Sequence, residues 1–176
     1  EDREADTDLF SPKKKKSKGD TAASPVSKEN LAIAKSWLAS SDEYNLLVNG
    51  TAITAFPVYY QNDLALLRQS LRIVQVGTEV AEVKGKDLIP AHGLAMSRLL
   101  KTSVFPTEAL TYEQAIAYLR KEAIVLPPSV PKGYVLVTYK EIPLGFVKNI
   151  GNRANNLYPQ EWRIRSGYLP DDIRTL

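Results

Sequence analysis

The sequence of 176 residues contains no cysteine, one histidine and one methionine. Without thiols there are no disulfides, no thiolate metal sites and no thiol nucleophile. His92 alone supplies too few nitrogen ligands for the usual zinc clusters. No apolar run approaches the roughly 18 residues that span a bilayer. No signal peptide opens the chain, so a cytoplasmic location is expected. The first residue is Glu1 and the one methionine is Met96, which leads us to expect a processed chain or a piece cut from something longer. Apolar residues make up 44% and charged residues 24%, ordinary for a globular chain. Some 150 residues look able to join a core, roughly the size of one compact domain or two small ones packed together.

The net charge of +3 is small, so its distribution carries the argument. Residues 1–27 hold six basic and six acidic groups, and residues 107–144 hold four of each. Residues 28–106 hold eight basic against seven acidic groups. Residues 145–169 hold Lys148, Arg153, Arg163 and Arg165 against Glu161 alone. Nearly all the excess therefore sits in one stretch, which also carries Phe146, Tyr158, Trp162 and Tyr168. Cations interleaved with aromatics suit a phosphate backbone with splayed bases.

Residues 1–27 read as a disordered charged linker, with an acidic block ahead of Lys13–Lys16 and little that could be buried. The lysine run either touches nucleic acid or pairs with its own acidic neighbour. Ser27 is placed to cap a helix over 28–40. Asn49-Gly50 between Tyr44–Val48 and Thr51–Phe56 predicts a hairpin with a type I′ turn. Asn62 or Asp63 is expected to cap a helix whose apolar side is Leu64, Leu67 and Leu71. Strands follow over 72–77 and 79–83, then a turn at Lys84-Gly85 and a helix started by Pro90.

Phe105-Pro106 marks an expected domain boundary. Thr111 and Gln114 form a capping box for a helix to about 121, burying Ala115, Ile116 and Leu119. Gly133–Tyr139 and 142–150 read as strands, residues 152–156 as a loop or one helical turn, and 162–166 as a last strand. The fold class is α+β: a small helix-flanked sheet over 28–106, then a compact β-barrel over 107–169, with 170–176 as a tail.

The stretch Leu144–Arg163 reads LGFVKNIGNRANNLYPQEWR. It resembles the C-terminal PUA-like RNA-binding domain of RsmF-type ribosomal RNA cytosine-5 methyltransferases, in the Nol/Nop/Sun family. The matching positions are Leu144, Gly145, Lys148, Gly151, Asn156, Tyr158, Pro159 and Arg163. Pro90–Ala95 looks like the family's motif in the region ahead of that domain. Two positions depart, Asn155 and Gln160, where the family pattern leads us to expect lysine.

The resemblance implies a PUA-like fold, ribosomal RNA as partner, S-adenosylmethionine as the parent's cofactor, and an upstream methyltransferase domain in the same polypeptide. It also implies one cysteine that attacks C6 of cytosine and a second that assists product release. Serine or lysine is a far poorer nucleophile for that addition. This cysteine-free chain also lacks a glycine-rich strand-to-helix turn, so no catalytic residue, cofactor or metal is expected in it. His92, with Asp87 as a conceivable orienting group, reads as a capping or packing residue rather than a base. Asp171-Asp172 reads as a solvated end rather than a metal site.

The expected RNA-binding residues are Lys148, Arg153, Asn155, Asn156, Tyr158, Arg163 and Arg165. The four cations either track phosphates or are ordinary surface charge. Tyr158 and Trp162 either stack bases or belong to the core. Asn155 and Asn156 either read base edges or cap their own turn. The expectation is a non-catalytic RNA-binding module. The alternative is a protein-interaction domain packed on the catalytic domain with little RNA contact.

Overall fold

In the computed structural model, which describes residues 26–166, Ser27 opens helix α1 (Lys28–Ser36) by accepting from the Asn30 amide at 3.1 Å. The acidic block, the lysine run, Tyr168 and Asp171-Asp172 lie outside the described residues. The helix stops four residues short of expectation, for a tertiary reason. The Trp37 carbonyl accepts from Lys101 and the Ala39 amide donates to Leu99, both at 2.8 Å, so pairing with a distant segment replaces the helical ladder.

Strands β1 (Tyr44–Asn49) and β2 (Ala52–Pro57) form the expected hairpin, but Asn49 pairs with Ala52. The turn is therefore Gly50-Thr51. Only Gly50 takes positive φ, +60°, the pattern of a type II′ turn rather than type I′. A 3-10 turn over Val58–Tyr60 leads into α2 (Gln61–Ser70), so Tyr60, not Asn62 or Asp63, stands at the cap. Of the expected apolar side only Leu64 is buried; Leu67 and Leu71 are exposed.

Residues 72–77 form no strand. The chain pairs again at β3 (Thr78–Lys84), which runs antiparallel to β2 and to β4 (Asp87–Pro90). Pro90 closes that strand opposite Ala81 instead of starting a helix, and α3 (His92–Ala95) is a single turn with Leu94 and Ala95 buried.

The second sheet begins with β5 (Thr107–Ala109), which pairs in parallel with β6 (Gly133–Tyr139). Helix α4 (Tyr112–Leu119) crosses between them, and Thr111 and Gln114 make the expected capping box. Tyr118, not Ile116 or Leu119, is its most buried residue. After α4 the Lys121 amide donates to Tyr118 O and the Glu122 amide to Ala117 O, both at 2.9 Å. This is a Schellman closure with Lys121, at φ +68°, where glycine is usual.

β7 (Ile142–Asn149) returns from β6 through Lys140-Glu141, and β8 (Ala154–Asn156) completes the order β5-β6-β7-β8. The run expected to be loop or helix thus supplies an edge strand, since Val147, Lys148 and Asn149 offer it a partner. The order ends at β5 and β8, so among the described residues the chain forms two four-stranded sheets rather than a closed barrel.

The second sheet is covered on both faces, which explains the unbroken apolar run of β6. Val135, Val137 and Val147 pack with Tyr118 and Ala115 of α4. Leu136 and Phe146 face the other way, into a cluster with Trp37, Ile53, Val80, Leu94 and Phe105 of the first half. Phe105 joins them, its ring 5.1 Å from Trp37 and 4.8 Å from Phe146. No helix among the described residues is long and apolar enough to cross a membrane.

Candidate nucleic-acid interface

Past β8 the expected last strand over 162–166 does not form. Pro159 turns the chain into a 3-10 turn over Gln160–Trp162, and residues 159–166 run as a strap across the C-terminus of α4. A helix end leaves carbonyls without partners; the strap supplies a donor to one of them, and side chains at the helix end donate back to carbonyls of the following segment. The Ile164 amide reaches Leu119 O at 2.9 Å, and the Arg120 guanidinium reaches Ser166 O at 2.9 Å. The Lys121 ammonium bonds to Tyr158 O.

The strap sets the fate of the seven expected residues. Arg163 and Arg165 are exposed and, with Arg120 and the acidic Glu122, line a depression of about 330 Å³. Arg153 is exposed at the β7–β8 turn. Among the described residues none of these arginines makes an ion pair. Lys148 is different: its ammonium is 2.6 Å from Asp87 and 5.5 Å above the Tyr134 ring. The hydrogen bond to Asp87 holds its pKa above the usual lysine value. The Asp87 carboxylate, the conceivable orienting group for His92, thus bonds to Lys148.

Asn155 lies opposite Lys148 in the ladder, half-buried. Asn156 is committed internally, its amide donating to Tyr118 O at 2.7 Å and Glu122 O at 2.9 Å while its Oδ1 accepts from the Tyr158 amide at 2.8 Å. Tyr158 is wedged edge-on between Tyr118 and His92, at 5.4 and 5.2 Å. These two residues hold the strap rather than project from it.

Residues 105–164 match the family model of the methyltransferase RsmF PUA domain. The chain carries an RsmF-type PUA domain. It is 29% identical over 138 residues to the ribosomal RNA small subunit methyltransferase F of Enterobacter sp. (strain 638), covering 78% of this chain and 27% of that protein. The like-named protein of Klebsiella pneumoniae (strain 342) is 28% identical over 56% of this chain and 20% of its own length. That of Shewanella loihica (strain ATCC BAA-1088 / PV-4) is 32% identical over 52% and 18%. The chain thus matches about a quarter or less of the length of these curated relatives.

Within the RsmF-type PUA domain, the β5–α4–β6 crossover is the place where a nucleotide-type cofactor would need free backbone amides. The connection is Leu110-Thr111, without glycine, and the capping box takes the amides of Thr111 and Gln114. These residues do not fit S-adenosylmethionine. Among the described residues no group of three or more histidine, aspartate or glutamate side chains could hold a metal.

His92 is brought to the strap by α3. Its ring meets Tyr158 and, at 5.3 Å, Trp162. Burial, and secondarily Lys121, lowers its pKa below the ordinary 6.5, so the ring is neutral at pH 7. Arg120, Lys121 and His92 were outside the expected site because their sequence neighbours are unremarkable. The adjacent Arg120-Lys121 at a helix end was the one available signal.

Proposed function

We propose that this chain is a non-catalytic RNA-binding module. It helps to position ribosomal RNA for S-adenosylmethionine-dependent cytosine-5 methylation by a Nol/Nop/Sun-type catalytic domain in the same longer, cytoplasmic polypeptide. In this reading residues 28–106 and 107–169 are two units that share one core and present one RNA face. The parent is the methyltransferase and binds the cofactor; this segment grips substrate. The family match points this way, and one observation carries the reading to a surface: Arg120, Arg163 and Arg165 line one exposed depression in which they outnumber the one carboxylate, Glu122, and none of them makes an ion pair among the described residues. Phosphate contact by such guanidinium groups positions RNA without reading its sequence. Arg153 extends the face, and Asn155 is the remaining polar contact; Lys148, Asn156 and Tyr158 support it from within.

Three phosphate contacts on a single strand give a slope of log K against log salt of about −2, and so about a twentyfold loss between 50 and 200 mM salt. The test is retention of ribosomal RNA at those two salt concentrations by the chain and by Arg120→Ala/Arg163→Ala/Arg165→Ala. Loss of binding and of its salt dependence in the variant is the expected result. Equal retention by both overturns the reading.

A second reading has its own observation. Tyr59, Leu66, Leu71 and Val74 are 85, 63, 61 and 95% exposed, beside an apolar groove of about 470 Å³ lined by Phe56, Leu64 and Leu67. Exposed apolar area of this kind suits a protein partner, and packing on the catalytic domain is the alternative role. If Leu71→Lys/Val74→Lys separates the two parts of the parent while RNA retention by this chain is unchanged, the face serves docking.

A further inference from the structure

The strap divides two depressions. On one side are the three arginines; on the other is a cleft of about 680 Å³ between β3, the start of α3 and residues 157–162. Its volume is that of a small-ligand site. Trp162 lies on its rim, 61% exposed. The indole meets His92 edge-on at 81°, a contact that uses no more than one of its faces. The Trp162 amide bonds to Pro159 O at 3.2 Å, so the 3-10 turn sets the backbone that carries the indole, and His92 meets its ring. A large exposed aromatic held in place costs little further ordering when a ring stacks on it.

The charge inside the cleft is opposite to that across the strap. Glu79, Glu82 and Glu161 outnumber Lys84 and Lys121, and the Lys121 ammonium is already bonded to Tyr158 O. The neutral His92 adds no cation. Phosphate is disfavoured here, whereas carboxylates accept hydrogen bonds from amino groups.

We propose that this cleft holds one nucleobase bearing an exocyclic amino group, stacked on Trp162 with its amino group donating to the cleft carboxylates, while Arg120, Arg163 and Arg165 hold the flanking phosphates. This rests on the RNA-binding reading above. It adds a base-selective slot to a face that otherwise reads only backbone.

The test titrates the full chain with short single-stranded oligo(C), oligo(A) and oligo(U), following tryptophan fluorescence. Of the two tryptophans Trp37 is 6% exposed, so quenching reports Trp162. Oligo(C) and oligo(A) are expected to quench and to bind more tightly than oligo(U). Trp162→Leu is expected to weaken binding about five- to hundredfold, the range of one stacked base, and Trp162→Phe to retain most of it. Glu79→Gln/Glu82→Gln should narrow the preference over oligo(U). Saturable binding without quenching, equal affinity for all three, or an unchanged affinity in a folded Trp162→Leu overturns the slot and leaves the arginine face standing. If no oligonucleotide binds and Arg163→Ala/Arg165→Ala changes nothing, the RNA reading itself falls.

Discussion

The Lys148 ammonium lies 2.6 Å from an Asp87 carboxylate oxygen, a bond that runs from β7 of the second sheet to β4 of the first. A lysine that sequence pattern assigns to RNA is thereby a tie between the two sheets. Lys148→Met is expected to keep RNA retention within about twofold, whereas Arg163→Ala lowers the salt slope by about 0.7. The raised lysine pKa sets the pH window. The tie's contribution is fully present below the ordinary value of 10.5 and is lost as pH rises through the higher folded value. Melting temperatures of the two proteins should therefore differ equally at pH 7 and 9 and converge in stronger alkali. A larger RNA defect in Lys148→Met than in Arg163→Ala would return the residue to the interface.

The neighbouring asparagines should behave unlike each other. Asn156→Ala removes three hydrogen bonds that join β8 to the C-terminal end of α4 and to the Tyr158 amide, so a loss of about 2 kcal/mol is expected. Asn155→Ala should stay within about 0.5 kcal/mol of the unaltered chain, as for a typical surface change. Urea midpoints of the two variants decide it, and similar values would contradict the assigned hydrogen bonds.

Gly145 is required by its surroundings. A Cβ there would lie 2.1 Å from the Tyr118 hydroxyl and 2.9 Å from His92 Nδ1, at φ +142°. Gly145→Ala combines overpacking with backbone strain and should destabilise by about 3 kcal/mol, seen as a melting temperature roughly 6–12 °C lower. A shift of one or two degrees would show that Tyr118 can step aside.

His92 gives the chain an acid sensitivity. Its folded pKa is depressed by burial and by Lys121, with Tyr118, Tyr158 and Trp162 as its other neighbours, so protonation favours the unfolded chain. Its neutral form is fully accommodated above the ordinary 6.5, and stability falls as pH drops below that value towards the folded pKa. In His92→Gln the slope of unfolding free energy against pH between about 6.5 and 5 should be shallower. An unchanged slope would place the acid sensitivity in the carboxylates.

The Lys140-Glu141 turn puts two side-chain-bearing residues at φ +48° and +67°. Asn-Gly suits that type I′ geometry better, so Lys140→Asn/Glu141→Gly is expected to raise stability by about 1 kcal/mol, read from the urea midpoint. A fall would mean that the two side chains make contacts worth more than the strain.

Local chemistry is legible in the sequence. The Ser27 cap, the Thr111–Gln114 box, the β1–β2 and β6–β7 hairpins and the arginine-rich end of the chain all declare themselves through neighbouring residues, because caps and turns are made within three or four positions. The strand at 154–156, the absence of one at 72–77 and the strap over α4 did not, since each depends on which backbone groups a distant segment leaves unpaired. Lys148 and Asp87 are 61 residues apart, and no local signal says that they will meet. Residue types alone established a thiol-free, cation-tipped α+β chain. Only the packing of the second half onto the first decided which of its cations meet a carboxylate, because Lys148 finds Asp87 across the two sheets whereas Arg153, Arg163 and Arg165 make no ion pair among the described residues.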